Sequence, residues 1–69
     1  MKEYKLLVYN VLKGTHRWHT VWADNVDSAI RIAKFGIAKN MYLADCQFHF
    51  TIKQYMNFLT IKELILVKR

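Results

Sequence analysis

Proline is absent from the 69-residue chain, glycine occurs twice and cysteine once. With Cys46 alone, no disulfide can form within the chain, and a lone thiol suits a reducing compartment such as the cytoplasm. Two scattered glycines, Gly14 and Gly36, do not make a glycine-rich phosphate loop. No proline-, glycine- or serine-rich stretch marks a linker, and no internal repeat or low-complexity segment is present. Acidic residues are scarce, five against eleven lysines and arginines. No apolar run approaches the roughly 20 residues that cross a bilayer. No charged segment leads into an apolar one in the manner of a secretory signal. One cytoplasmic domain over residues 1–69 is therefore expected.

The residues that are present are apolar and basic. Hydrophobic types make up 54% of the chain and aromatics 14%. A chain this short buries a modest fraction of its surface, so one thin core cannot hide that apolar content. Small domains often gain stability by self-association, and a homodimer is expected. The formal net charge of +6 favours nucleic acid, an anionic membrane surface or an acidic protein as partner. A membrane partner is not expected. A basic balance also serves simply to keep a hydrophobic chain in solution.

The strongest local signal runs from Val21 to Ala38, VWADNVDSAIRIAKFGIA. Asn25 is suited to cap a helix, because its side-chain oxygen can accept from a backbone N–H of the first turn. Asp27 places a negative charge where the helix dipole favours it. Val26, Ala29, Ile30, Ala33 and Ile37 recur at spacings of three and four and fall on one stripe, flanked by Ile32 and Phe35. The helix ends at Gly36 or Asn40, and Asn40 is the preferred end. Met41 to Asp45 is a connection or a further helical turn.

The remaining segments read as strands. Tyr4 to Leu12 is rich in β-branched and aromatic residues and apolar on both parities, which suits a central strand. Lys13-Gly14-Thr15 turns the chain, with Gly14 supplying a positive φ. His16 to Ala23 is the second strand. Val21 and Ala23 run into the helix cap and face the helix, which puts Trp18, Thr20 and Trp22 on the opposite face. Cys46 to Gln54 alternates Phe48, Phe50 and Ile52 against His49, Thr51 and Lys53 and reads as a third strand, its phenylalanines under the helix. Tyr55-Met56-Asn57 is a turn. Phe58 to Val67 is the last strand, with a helix over Thr60 to Arg69 as the alternative. The expected fold is α+β, in the order ββαββ: a four-stranded antiparallel sheet with one helix packed on one face. The uncovered face then holds both tryptophans, and a patch of that kind on a monomer calls for a partner.

Catalytic and metal chemistry finds little support. His16 and His19 are three apart on a strand, so their rings point to opposite faces. His49 and Cys46 add no ligand spacing to them. Cys46 and His49 are the one nucleophile–base pair, and nothing marks the thiol as activated. Asp24 and Asp27 are explained by the helix start. No enzyme activity, cofactor or metal is expected.

Nucleic-acid binding fits the composition best. Lys13, Arg17, Trp18, Lys53, Lys62, Lys68 and Arg69 are the candidate contacts. Cations neutralise phosphates, and exposed indoles stack on unpaired bases. RNA, or a ribonucleoprotein, is the expected partner, with Tyr9, Trp18 and Trp22 as interface residues. The alternative is a small inhibitor that blocks a host protein without nucleic acid, anchored by Trp18, Trp22, Tyr9 and Arg17.

The segment V-W-A-D-N-V-D-S-A-I-R-I-A-K resembles a strand-then-helix pattern of short bacteriophage accessory proteins, of the counter-defence or host-takeover type. It covers about a fifth of the chain. The resemblance implies action on a host factor and carries no functional residue with it. Trp22 departs from the pattern, which usually has a polar residue there.

Overall fold

A computed structural model of the chain describes residues 1–44 and 50–68. Five elements follow in order: β1 (Lys2–Asn10), β2 (Thr15–Ala23), α1 (Val26–Ala44), α2 (Ile52–Asn57) and β3 (Leu59–Leu66). The strands form one antiparallel sheet in the order β2-β1-β3. The class is α+β, as the sequence indicates. Among the described residues, three strands and two helices in the order ββααβ stand in place of the expected four strands and ββαββ order.

β1 and β2 pair along their full length, from Lys2 opposite Ala23 to Asn10 opposite Thr15. The turn between them is fixed at both ends. The Gly14 N–H donates to the Asn10 carbonyl at 2.7 Å, and the Lys13 N–H donates to Asn10 Oδ1 at 3.2 Å. Gly14 adopts φ 67°, where a side chain would be strained. β1 is central, and its two parities differ. Tyr4, Leu6, Val8 and Asn10 are buried on the helical side, while Leu7 and Tyr9 are half-buried on the other.

α1 starts as its capping residue dictates. The Ser28 N–H donates to Asn25 Oδ1 at 2.9 Å, and Asp27 lies in the first turn. The helix runs through Gly36 and past Asn40 to Ala44. Burial explains the extension: Ala38 and Met41 are both buried, and Met41 Sδ accepts a hydrogen bond from the Asn10 amide at 3.3 Å. Ala29, Ala33, Ala38 and Met41 form the buried stripe, and Ile30 and Ile37 pack at its margin. Val26, expected on the stripe, is exposed in the first turn. Ile32, Phe35, Tyr42 and Leu43 are exposed as well.

The segment expected as a third strand is corrected at its described end. Residues 45–49, with Cys46, Phe48 and His49, lie outside the described residues. Ile52 to Gln54 begin α2, and Tyr55, Met56 and Asn57, expected as a turn, complete it. A reciprocal cap drives this. The Gln54 N–H donates to Thr51 Oγ1 at 3.2 Å, and the Thr51 N–H donates to Gln54 Oε1 at 2.8 Å. The two bonds satisfy orphan donors that a strand would have had to pair elsewhere. The helix then buries Tyr55 in the same core as Leu6 and Ala33. Phe50 meets Tyr55 and Phe58 edge-on, at centroid distances of 5.6 and 5.1 Å.

β3 is the last strand that the alternation indicates, and the alternative helix over Thr60 to Arg69 is not formed. Its register shifts once, between the partners of Leu7 and Val8. Leu59 and Ile61 pack inward before the shift and Leu64 after it, so Lys62 and Glu63 both fall on the outer side. The bulge accounts for a strand that reads as apolar on both faces.

Leu6 is wholly buried at the centre of the sheet, whereas Ile32 is 47% exposed. Leu6→Ala is expected to lower unfolding free energy by about 2–5 kcal/mol. Ile32→Ala should change it by less than about 0.5 kcal/mol. Urea unfolding followed by circular dichroism compares the two.

Candidate nucleic-acid interface

Residues directly opposed on antiparallel strands share a face. The registers therefore define the side of the sheet away from the helices. His16, Tyr9 and Thr60 form one row across it; Trp18, Leu7 and Glu63 the next; Thr20, Lys5 and Ile65 the third; Trp22 and Glu3 the last. Trp18 is 48% exposed and Trp22 51%. Both indoles stand on the edge strand, on the face left bare by the helices, as the parity of β2 implies. They are separated by roughly 13 Å along the strand, with Thr20 between them.

Ring contacts order one end of this face. Tyr9 and His16 lie with centroids 4.4 Å apart and planes inclined by 30°. The Lys62 ammonium stands 5.4 Å from the Tyr9 ring centre, within reach of a cation–π attraction. The bulge in β3 is what brings Lys62 to this side. The face thus presents a short aromatic path along β2 and β1 with a cation beside it. Glu3 and Glu63 offset Lys5 and Lys62, so the face as a whole is close to neutral.

The candidate residues do not gather in one patch. Trp18 and Lys62 share the open face with the interface candidates Tyr9 and Trp22. Arg17 sits opposite Val8 and so belongs to the helical side of β2. Lys13 is on the hairpin turn. Lys53, expected on the outward parity of a strand, is on α2 instead, in the helical layer. Lys68 follows β3 at the opposite end of the sheet from the hairpin turn. Arg69 lies outside the described residues.

Arg17 belongs to an arrangement that periodicity alone does not reveal. The inward parity of β2 reads Thr15, Arg17, His19, Val21, Ala23. Its second half is apolar and lies under α1; its first half is polar. Between that polar half and the C-terminal part of α1 is a cleft of about 360 Å³. Arg17, His19 and Thr15 make its strand wall, Ile37, Asn40 and Met41 its helix wall, and Val8, Asn10 and Leu59 its floor. Lys13 stands at the rim, and no acidic side chain lines the cleft among the described residues. The signal in the sequence is polarity at positions whose parity points to the core.

His16 and His19 occupy opposite faces, and the described residues contain no cluster of His, Cys, Asp or Glu able to hold a metal. Among them no helix is long and apolar enough to cross a membrane. Burial, and then the charge of Arg17, hold the His19 imidazole below its ordinary pKa of 6.5. A depressed histidine contributes its full stability above the unfolded value. As pH falls below 6.5 the unfolded chain takes up a proton that the folded one resists, and stability is lost until the folded pKa is passed. The melting temperature of the wild type, measured against that of His19→Gln, should therefore fall between about pH 7.5 and about pH 5. A constant difference over that range would contradict this assignment. Comparison with protein-family models, with curated proteins and with solved structures finds no match for this chain.

Proposed function

We propose that the open face of the sheet binds single-stranded RNA, by stacking unpaired bases on Trp18 and Trp22. The observation that carries this reading is the pair of half-exposed indoles on one side of an edge strand, outside the core and away from both helices. An exposed indole is costly in water and offers a flat π-face that any base can cover. Tyr9 and His16 extend the platform, and Lys62 supplies a cation beside it for a phosphate. An edge strand suits an extended ligand, because no described strand pairs with its outer side.

The near-neutral charge of this face shapes the expectation. Affinity comes more from stacking than from ion pairing, so the salt dependence is shallow. A-form duplex RNA offers no unstacked bases and binds poorly. Sequence preference is slight, since stacking does not read base edges. If the chain acts on a host factor, as its resemblance to phage accessory proteins implies, the same face is the surface that serves it.

Fluorescence anisotropy with a short single-stranded RNA tests the reading. Trp18→Ala and Trp22→Ala should each weaken binding by about tenfold, consistent with about 1–3 kcal/mol for a stacked base. The tryptophan emission should be quenched on binding. Lys53→Glu, in the helical layer, should change affinity by less than about twofold. Equal RNA binding by the wild type and the two tryptophan variants would refute the proposal. Tryptophan-dependent capture of a protein that survives nuclease treatment would favour the inhibitor alternative.

A further inference from the structure

We infer that the cleft behind β2 binds a phosphate monoester with a compact uncharged body, of the size and kind of a nucleoside monophosphate. The site is distinct from the open face and rests on its own observations. β2 turns three successive inward positions, Thr15, Arg17 and His19, toward the layer in which α1 lies. Inward positions of a strand in a small domain are normally apolar, and in the same strand Val21 and Ala23 are. Here a guanidinium, an imidazole and a hydroxyl line a cleft of about 360 Å³, within the range of small-molecule sites. Arg17 is exposed within the cleft rather than folded into a packed core, and its planar fork matches the oxygens of a phosphate.

The two walls differ, and the difference orients the ligand. The strand wall carries the donors and the positive charge. The helix wall is Ile37 and Met41 with the Asn40 amide, and it contains no charged side chain. Ala44 of α1 also borders the cleft. An anion is attracted at Arg17 and meets no cation on the α1 wall. The phosphate therefore sits on β2, and the uncharged body lies across the apolar side chains toward α1. Asn10 holds the floor rigid, since its side chain is tied both to the turn and to Met41.

His19 provides a direct reporter. Its imidazole is disfavoured as a cation by burial and by Arg17. Among the described residues, the charged groups that face it in the cleft are Arg17 and, at the rim, Lys13; α1 contributes none. A bound dianion reverses the local field and raises the pKa of this imidazole. His16 is on the other face, against Tyr9, and serves as the internal control.

The experiment titrates the full-length chain with uridine 5′-monophosphate, inorganic phosphate and uridine, following both imidazoles by NMR and affinity by calorimetry. The monophosphate should bind saturably, shift the His19 signals and raise its pKa while leaving His16 in place. Inorganic phosphate should bind more weakly and uridine least. Arg17→Gln, at an exposed position that leaves the fold intact, should weaken the monophosphate by about tenfold, the loss of one charge-assisted contact. An unmoved His19, equal binding of uridine and its phosphate, or an Arg17→Gln variant of unchanged affinity would each overturn the inference. Two short RNAs, with and without a 5′-phosphate, separate the sources of the ligand. Preference for the phosphorylated end assigns the cleft to an RNA terminus, and indifference to it assigns the cleft to free nucleotides. Trp18→Ala should bind the monophosphate as the wild type does, so failure of the stacking proposal and failure of this one are told apart.

Discussion

Among the described residues two helices press on one face of a three-stranded sheet and none on the other, and the rest of the structure follows from that asymmetry. Close approach makes it possible. Ala23 on the sheet and Ala29, Ala33 and Ala38 on α1 are all buried, and their small side chains let the helix settle onto the strands. Tyr55 fills the remaining depth from α2. The core so formed is thin, ten buried apolar residues in the described part of the chain. It accounts for the inward parity of β1 and for half of the inward parity of β2, and it can cover no more.

The surplus apolar surface is disposed in a definite way. On the sheet it is Trp18, Trp22, Leu7 and Ile65; on α1 it is Ile32, Phe35, Tyr42 and Leu43. Neither group lies under another of the described elements. Pairing within the sheet leaves β2 and β3 as edges, and β2 is the longer of the two. β2 is thus the element with most freedom to engage something outside the chain. One of its faces presents rings and the other presents Arg17, His19 and Thr15. The two proposed ligand chemistries, stacking and phosphate binding, are separated by the thickness of a single strand.

Much of this is legible in the order of the residues. The cap at Asn25, the glycine turn and the parity of Trp18, Thr20 and Trp22 all depend on residues within a few positions of one another. Local rules govern such features. The segment after α1 misleads because two local rules compete there. Phe48, Phe50 and Ile52 alternate like a strand, while Thr51 and Gln54 carry the spacing of a capping box. The box prevails, and the helix that it starts buries Tyr55 in the core. That outcome places Lys53 in the helical layer rather than on a sheet. The bulge in β3, which brings Lys62 beside Tyr9, leaves no mark in the pattern beyond an apparent apolarity of both faces.

The sequence by itself determined the class of the fold, the hairpin, the start of the long helix and the side of the sheet on which the indoles stand. Each is set by periodicity or by a hydrogen bond spanning three or four residues. Only the tertiary structure decided the number of strands among the described residues, the run of α1 past Asn40 and the cleft between β2 and that helix. Those depend on where Met41 and Tyr55 find space to bury and on how far a helix of fixed width extends across the sheet. Such distances are fixed by packing among segments remote in the chain, and no local pattern contains them.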